Sequence, residues 1–157
     1  MFAKPNLFFI DLEQTIIESW QAPDLINVQR IRTFLEQNNA DEVRIFSFAI
    51  WDDKDKQKFS DEMKPRIEAA LGLPVMSWPS VQDMMRADFD HTGDRFEKGH
   101  EVSEFIQLRG KEHAFFNFVC NQYNFTRAVL IDDVVPDMTR SHRIKGWSVE
   151  FWNVDSL

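Results

Sequence analysis

Two short apolar runs end abruptly in acids. Leu7-Phe8-Phe9-Ile10 leads into Asp11, with Glu13 and Thr15 close behind, and the run within "RAVLIDD" leads into Asp132 and Asp133, with Asp137 four residues later. A run this short, with no polar residue on either face, fits a strand of a parallel sheet covered by helices on both sides. The acids at its exit must therefore sit where water, metal or substrate can reach them.

The rest of the chain supplies the helices such a sheet needs. Val28, Ile31, Phe34 and Leu35 recur at helical spacing, and Asn38-Asn39 closes that segment. "VRIFSFA", residues 43–49, reads as a second strand, and "DDKDKQK" after it as a solvated loop or helix face. In "KPRIEAALG", Pro65 suits a helix start and Gly72 its end. "LPVMSW" fits a third, shorter strand, and Pro79-Ser80 open a short helix through Met85.

Residues 86–110 carry charges and turn formers and read as a surface excursion, either a small cap or a long loop. Phe115, Phe116, Val119, Cys120 and Tyr123 share one stripe of a helix beginning near Lys111, and "GWSVEFWNV" is a final strand. Strands alternating with helices predict a doubly wound, three-layer α/β/α domain with a mainly parallel sheet of roughly five strands. At 157 residues the chain is read as one domain over 1–157.

Composition narrows the function classes. A net charge of −8 argues against duplex nucleic acid, whose binding draws on Lys and Arg at phosphates. The lone cysteine, Cys120, forms no internal disulfide and falls on the apolar stripe. No leader or membrane-length apolar run stands out, so a cytoplasmic protein without a membrane span is expected. His91, His100, His113 and His142 show no metal-ligand spacing. Fifteen Phe and five Trp form a heavy aromatic load, read mainly as core, with some rings left to line a pocket or partner surface.

In an open parallel sheet, ligands bind beyond the C-terminal ends of the strands. If the two acidic strands are neighbours, Asp11, Glu13, Asp132, Asp133 and Asp137 converge. Bare carboxylates that close repel, and a hard divalent cation such as Mg²⁺ relieves the conflict through oxygen ligands. Ser47, at another strand end, and Lys111 supply the hydroxyl and ammonium that hold a phosphoryl group. Carboxylate, metal, hydroxyl and lysine together describe phosphoryl transfer through an aspartyl-phosphate.

These motifs resemble the haloacid dehalogenase-like superfamily, most of whose members are Mg²⁺-dependent phosphatases. Asp11-Leu12-Glu13-Gln14-Thr15 is similar to its first motif, "RIFS" with Ser47 to its second, Lys111 to its third and "VLIDDVVPD" to its fourth. The resemblance implies Asp11 as nucleophile and metal ligand, and Glu13 as general acid/base with its carbonyl on the metal. It also implies Ser47 and Lys111 on the phosphoryl group, and Asp133 as the acid nearest Mg²⁺, supported by Asp132 or Asp137. Lys98 is a rival for the lysine role.

Two positions depart from the family pattern, with Glu13 for the usual Asp and Gln14 for the usual Gly. An extra methylene moves a carboxyl by roughly 1.5 Å, and a misplacement of about 1 Å can cost on the order of 100-fold in rate. Two expectations follow: a phosphatase with an adapted acid, or a weakly active or inactive protein of the same fold that binds a protein partner. The connections leave no room for a large cap, so the site is expected to be open, for a nucleotide, a nucleic-acid end or a phosphoprotein. Thr15, Trp20 and Trp51 are the expected substrate contacts, the two indoles standing over the mouth of the site.

Overall fold

The computed structural model describes residues 5–92, 101–142 and 144–157. Its centre is β1, Asn6–Ile10, flanked in parallel by β2, Arg44–Ile45, and by β3, Arg127–Asp132. β5, Trp147–Asn153, continues the parallel sheet beside β3, and β4, Met138–His142, closes it antiparallel, giving the order β2-β1-β3-β5-β4. The protein is thus α/β with a mostly parallel five-stranded sheet.

The helices follow from the sequence pattern. α1, Val28–Gln37, buries Ile31, Phe34 and Leu35 and ends at Asn38, with Asn39 at positive φ. The charged run is helical: α2, Asp53–Lys58, starts under the cap Asp52, whose carboxylate accepts from Asp55 N at 3.0 Å. Acids in its first turn and lysines in its last complement the helix dipole, which is why so polar a segment holds a helix. One π-helical turn, Phe59–Met63, buries Phe59 and Met63 and joins α2 to α3, Lys64–Leu71, which Gly72 ends at φ 70°. α4 spans Val81–Thr92, longer than the reading that stopped at Met85. α5, Glu101–Gln122, is broken at Gly110, whose φ of 71° and ψ of 168° lie outside the helix, so a helical segment does begin at Lys111.

Two strand expectations change, and one strand is new. The second strand pairs only over Arg44–Ile45: Phe46 N–H still bonds Ile10 O, and the chain then turns out of the sheet at Ser47. "LPVMSW" is not a full strand. It runs along Val43 through one bridge at Val75, with Val43 N bonding Pro74 O and Met76 N bonding Val43 O. β4, Met-Thr-Arg-Ser-His, has no apolar alternation, and it exists because it pairs with the open edge of β5.

Side chains alternate along β1. Phe8 and Ile10 pack with Ile31 and Leu35 of α1 and with Ile67 and Leu71 of α3. Leu7 and Phe9 pack with Val81 and Met84 of α4 and with Phe115 and Val119 of α5. Phe115 meets both Phe9 and Phe46 edge-on with centroids 5.1 Å apart, so much of the Phe content is core. Cys120 is half-buried against this second cluster. No helix among the described residues is long and apolar enough to cross a membrane.

Candidate active site and metal centre

The β1–β3 register sets the site. Ile10 lies opposite Ile131, and Asp11 N–H extends the ladder by donating to Ile131 O at 2.9 Å. Asp11 and Asp132 therefore leave adjacent strands side by side, and Asp133 follows. Oxygens from Asp11, Asp132 and Asp133 lie within 4.8 Å of one another. Asp11 and Asp132 are buried and Asp133 is half-buried.

Among the described residues, one cation answers this charge. Lys111 Nζ lies 2.9 Å from Asp11 Oδ1 and 3.0 Å from Asp132 Oδ2, and its side chain is 9% exposed. The break at Gly110 lets the backbone turn before Lys111. Burial alone would lower the lysine pKa, but the charges of Asp11 and Asp132 outweigh it and the pKa is raised. Thr15 is fully buried and donates to Asp11 Oδ2 at 3.0 Å, with Asp133 Oδ1 at 3.5 Å. Its hydroxyl is therefore engaged by the carboxylates. The ring of Phe48 lies 4.7 Å from Lys111 Nζ and confines the ammonium from the side.

One lysine does not neutralise three carboxylates. Asp11 has a raised pKa because burial disfavours its charge, an effect Lys111 opposes and Asp132 reinforces. Asp133 is pushed up to about 6 by burial and then by the charges of Asp11 and Asp132. Asp132 Oδ1 accepts from Val134 N, whereas the buried Oδ2 has only its ion pair with Lys111. Clustered, incompletely satisfied oxygens of this kind fit a hard divalent cation, since Mg²⁺ prefers carboxylate and water oxygens.

A raised carboxyl pKa has a consequence for stability. The folded chain holds the Asp133 proton more tightly than the unfolded chain does. This favours the fold below about pH 4, and the contribution is lost as pH rises through about 6. Melting temperature in chelator is therefore expected to fall between about pH 4 and pH 6, with a shallower fall in Asp133→Asn. Magnesium at pH 7 is expected to raise it by mass action. A wild-type profile no steeper than that of Asp133→Asn would contradict this account.

The other expected site residues divide. Ser47 is buried, lines the cleft and accepts from Ala49 N at 3.1 Å. Glu13 also lines the cleft, but its Oε2 accepts from Trp20 N at 2.9 Å and stands outside the three-acid cluster. Asp137 is elsewhere: its Oδ1 accepts from Asn153 N at 2.8 Å, tying the loop after β3 to the end of β5. Trp20 packs on the core under Lys58, and Trp51, 45% exposed, is not among the residues lining the cleft. Lys98 lies outside the described residues, as do 93–100 of the suggested cap.

Gln14 shows why a glycine was expected there. Its φ is 62°, a left-handed conformation, and its Nε2 donates to Glu18 O at 2.7 Å. The amide bond offsets part of the backbone strain. Gln14→Gly is expected to change stability by less than about 1 kcal/mol in urea unfolding, because strain and hydrogen bond are lost together. A β-branched Gln14→Val loses the bond, keeps the strain and is expected to cost about 2 kcal/mol.

The cleft beyond the acids has a volume of about 390 Å³. Phe48, Ala49, Ile106, Gly110 and Val134 line it in addition to the residues expected from the sequence. None of these apolar residues carries a sequence signal of its own, except Gly110, a helix breaker directly before the lysine. Asn153 was also missed: its Nδ2 donates to the carbonyls of Asp133 and Val135 at 3.1 and 3.0 Å and fixes the loop carrying Asp133. No family model, curated protein or solved structure matches the chain.

Proposed function

We propose that the protein is a Mg²⁺-dependent phosphomonoester hydrolase working through an aspartyl-phosphate on Asp11. The fold reading that accompanies it is a doubly wound, three-layer domain of the haloacid dehalogenase-like kind, in a cytoplasmic protein. The observation that carries the proposal is the grouping of Asp11, Asp132 and Asp133 around one buried lysine at adjacent strand ends. Asp11, Asp132 and Asp133 would hold the cation. When bound, Mg²⁺ would offset the carboxylate charge and polarise a phosphoryl oxygen.

The chain's own residues supply the rest. An Asp11 carboxylate oxygen attacks phosphorus, and the bond from phosphorus to the leaving oxygen breaks. Glu13 donates the proton that oxygen needs, then takes one from water as the water attacks the phospho-aspartate and releases inorganic phosphate. Thr15 holds Asp11 by its Oδ2 during attack. Lys111 and Ser47 hold the phosphoryl oxygens. The lip formed by Phe48, Ile106 and Val134 leaves room for an accessible phosphate on a nucleotide, a nucleic-acid end or a phosphoprotein.

A screen of aryl phosphate, mononucleotides and phosphopeptides with Mg²⁺ and with chelator tests this. Turnover that needs the metal is expected for at least one class, and none across the panel would overturn the proposal. The second reading, a weakly active or inactive protein that binds a protein partner, draws on the bond between Glu13 and Trp20 N, which occupies one oxygen of the proposed acid.

A further inference from the structure

The bond between Glu13 and the Trp20 amide belongs to a longer chain of contacts. Trp20 sits in the loop between β1 and α1, which turns back on itself through Glu18 N to Asp24 O at 2.8 Å and Ala22 N to Ser19 Oγ at 3.0 Å. The helical segment from α2 to α3 grips that loop at two points. Lys58, the last residue of α2, places Nζ 5.0 Å from the centre of the Trp20 ring and 3.4 Å from Trp20 O. Arg66 of α3 donates to Pro23 O at 3.0 Å. The π-helical turn Phe59–Met63 lies between these two grips.

From this geometry we infer that Lys58 is a positioning residue for Glu13, acting through Trp20 across a distance it does not span itself. The ammonium fixes Trp20 by its ring and its carbonyl, and so aims the Trp20 N–H at Glu13 Oε2. A glutamate is needed for this arrangement. An aspartate is one methylene shorter, by roughly 1.5 Å, too much to keep a 2.9 Å bond without movement of the loop. The departure at position 13 and the indole at position 20 are thus one device. Trp20 serves the site through its backbone, and its ring is the handle by which Lys58 holds it. The catalytic consequence rests on the phosphatase reading; the positioning does not.

The test is a mutant cycle on the isotope-labelled full-length protein, read by hydrogen exchange at the Trp20 amide. Lys58→Met and Glu13→Ala are each expected to speed exchange on the order of tenfold, the loss of one hydrogen bond. The double variant is expected to be no faster than either alone. Lys58→Arg, which keeps charge and reach, restores the slow rate. In turnover, Lys58→Met and Glu13→Asp are expected to lower kcat at least about tenfold with KM unchanged, since Glu13 is displaced and binding is not. Lys58→Arg recovers kcat. Additive exchange effects, no effect of Lys58→Met on exchange, or an undiminished kcat in Lys58→Met would each overturn the inference. Absence of wild-type turnover would defeat the phosphatase reading, and the exchange cycle would still decide whether Lys58 positions Glu13.

Discussion

Asp11→Asn is expected to abolish turnover and, in the same protein, to raise stability in chelator. An amide has no anionic oxygen to attack phosphorus, and loss of a nucleophile commonly costs on the order of 10⁴-fold or more. The opposite effect on stability follows from the charge arrangement. Asp11 is buried beside Asp132, and both compete for Lys111. Asparagine keeps an oxygen for Lys111 and turns its amide NH2 to the Thr15 hydroxyl, which accepts it, while removing one charge from an over-filled cluster. A gain of about 1–2 kcal/mol in urea unfolding at pH 7 is expected, the usual pattern where function has been kept at the expense of stability. Retained turnover would place the nucleophile elsewhere. A loss of stability would mean that the carboxylates and Lys111 are balanced as they stand.

Lys111→Met is expected to have the largest effect on stability. The ammonium is nearly buried and lies within 3.0 Å of carboxylates on two strands, and Met fills a similar volume without charge. Removing one partner of a buried ionic cluster typically costs about 3–5 kcal/mol, because the remaining charges are left without compensation. For a domain of this size that is a fall on the order of 10 °C in melting temperature in chelator at pH 7. Lowering the pH should recover part of the loss, since the carboxylates can then take up protons, and magnesium should recover part at pH 7. An unchanged melting temperature would mean that solvent already screens the cluster.

The parallel core of the fold was legible because its strands are apolar on both faces. Leu7–Ile10 and Ala128–Ile131 carry their position in their composition, and their pairing brings Asp11 beside Asp132. β4 was illegible for the opposite reason: Met-Thr-Arg-Ser-His gains its place from a partner edge and not from burial. The second strand read too long because Phe46 and Phe48 look like strand residues, whereas Phe46 packs on Phe115 and Phe48 stands beside Lys111.

Within the site, residue type and strand-end position marked Asp11, Asp132 and Asp133, and the start of a helical segment marked Lys111. They did not mark side-chain direction. Asp137 and Glu13 are each held by a backbone amide, of Asn153 and Trp20, and a sequence motif does not record which amide a carboxylate can reach. The indoles were assigned to the mouth of the cleft from aromatic character and from their places in the loops after the first two strands. Trp20 is instead pinned by Lys58, and such a contact between residues 38 positions apart leaves no periodic trace.

The claim on which the proposed function depends is that the strand-end carboxylates form a single cation site. Calorimetric titration of the chelator-stripped protein with Mg²⁺ at about pH 7.5, above the Asp133 pKa, tests it directly. Saturable binding of one ion per chain is expected for the wild type. Asp133→Asn, folded by circular dichroism, is expected to show none over the same range. Equal binding by the two proteins, or no binding by the wild type, would contradict it.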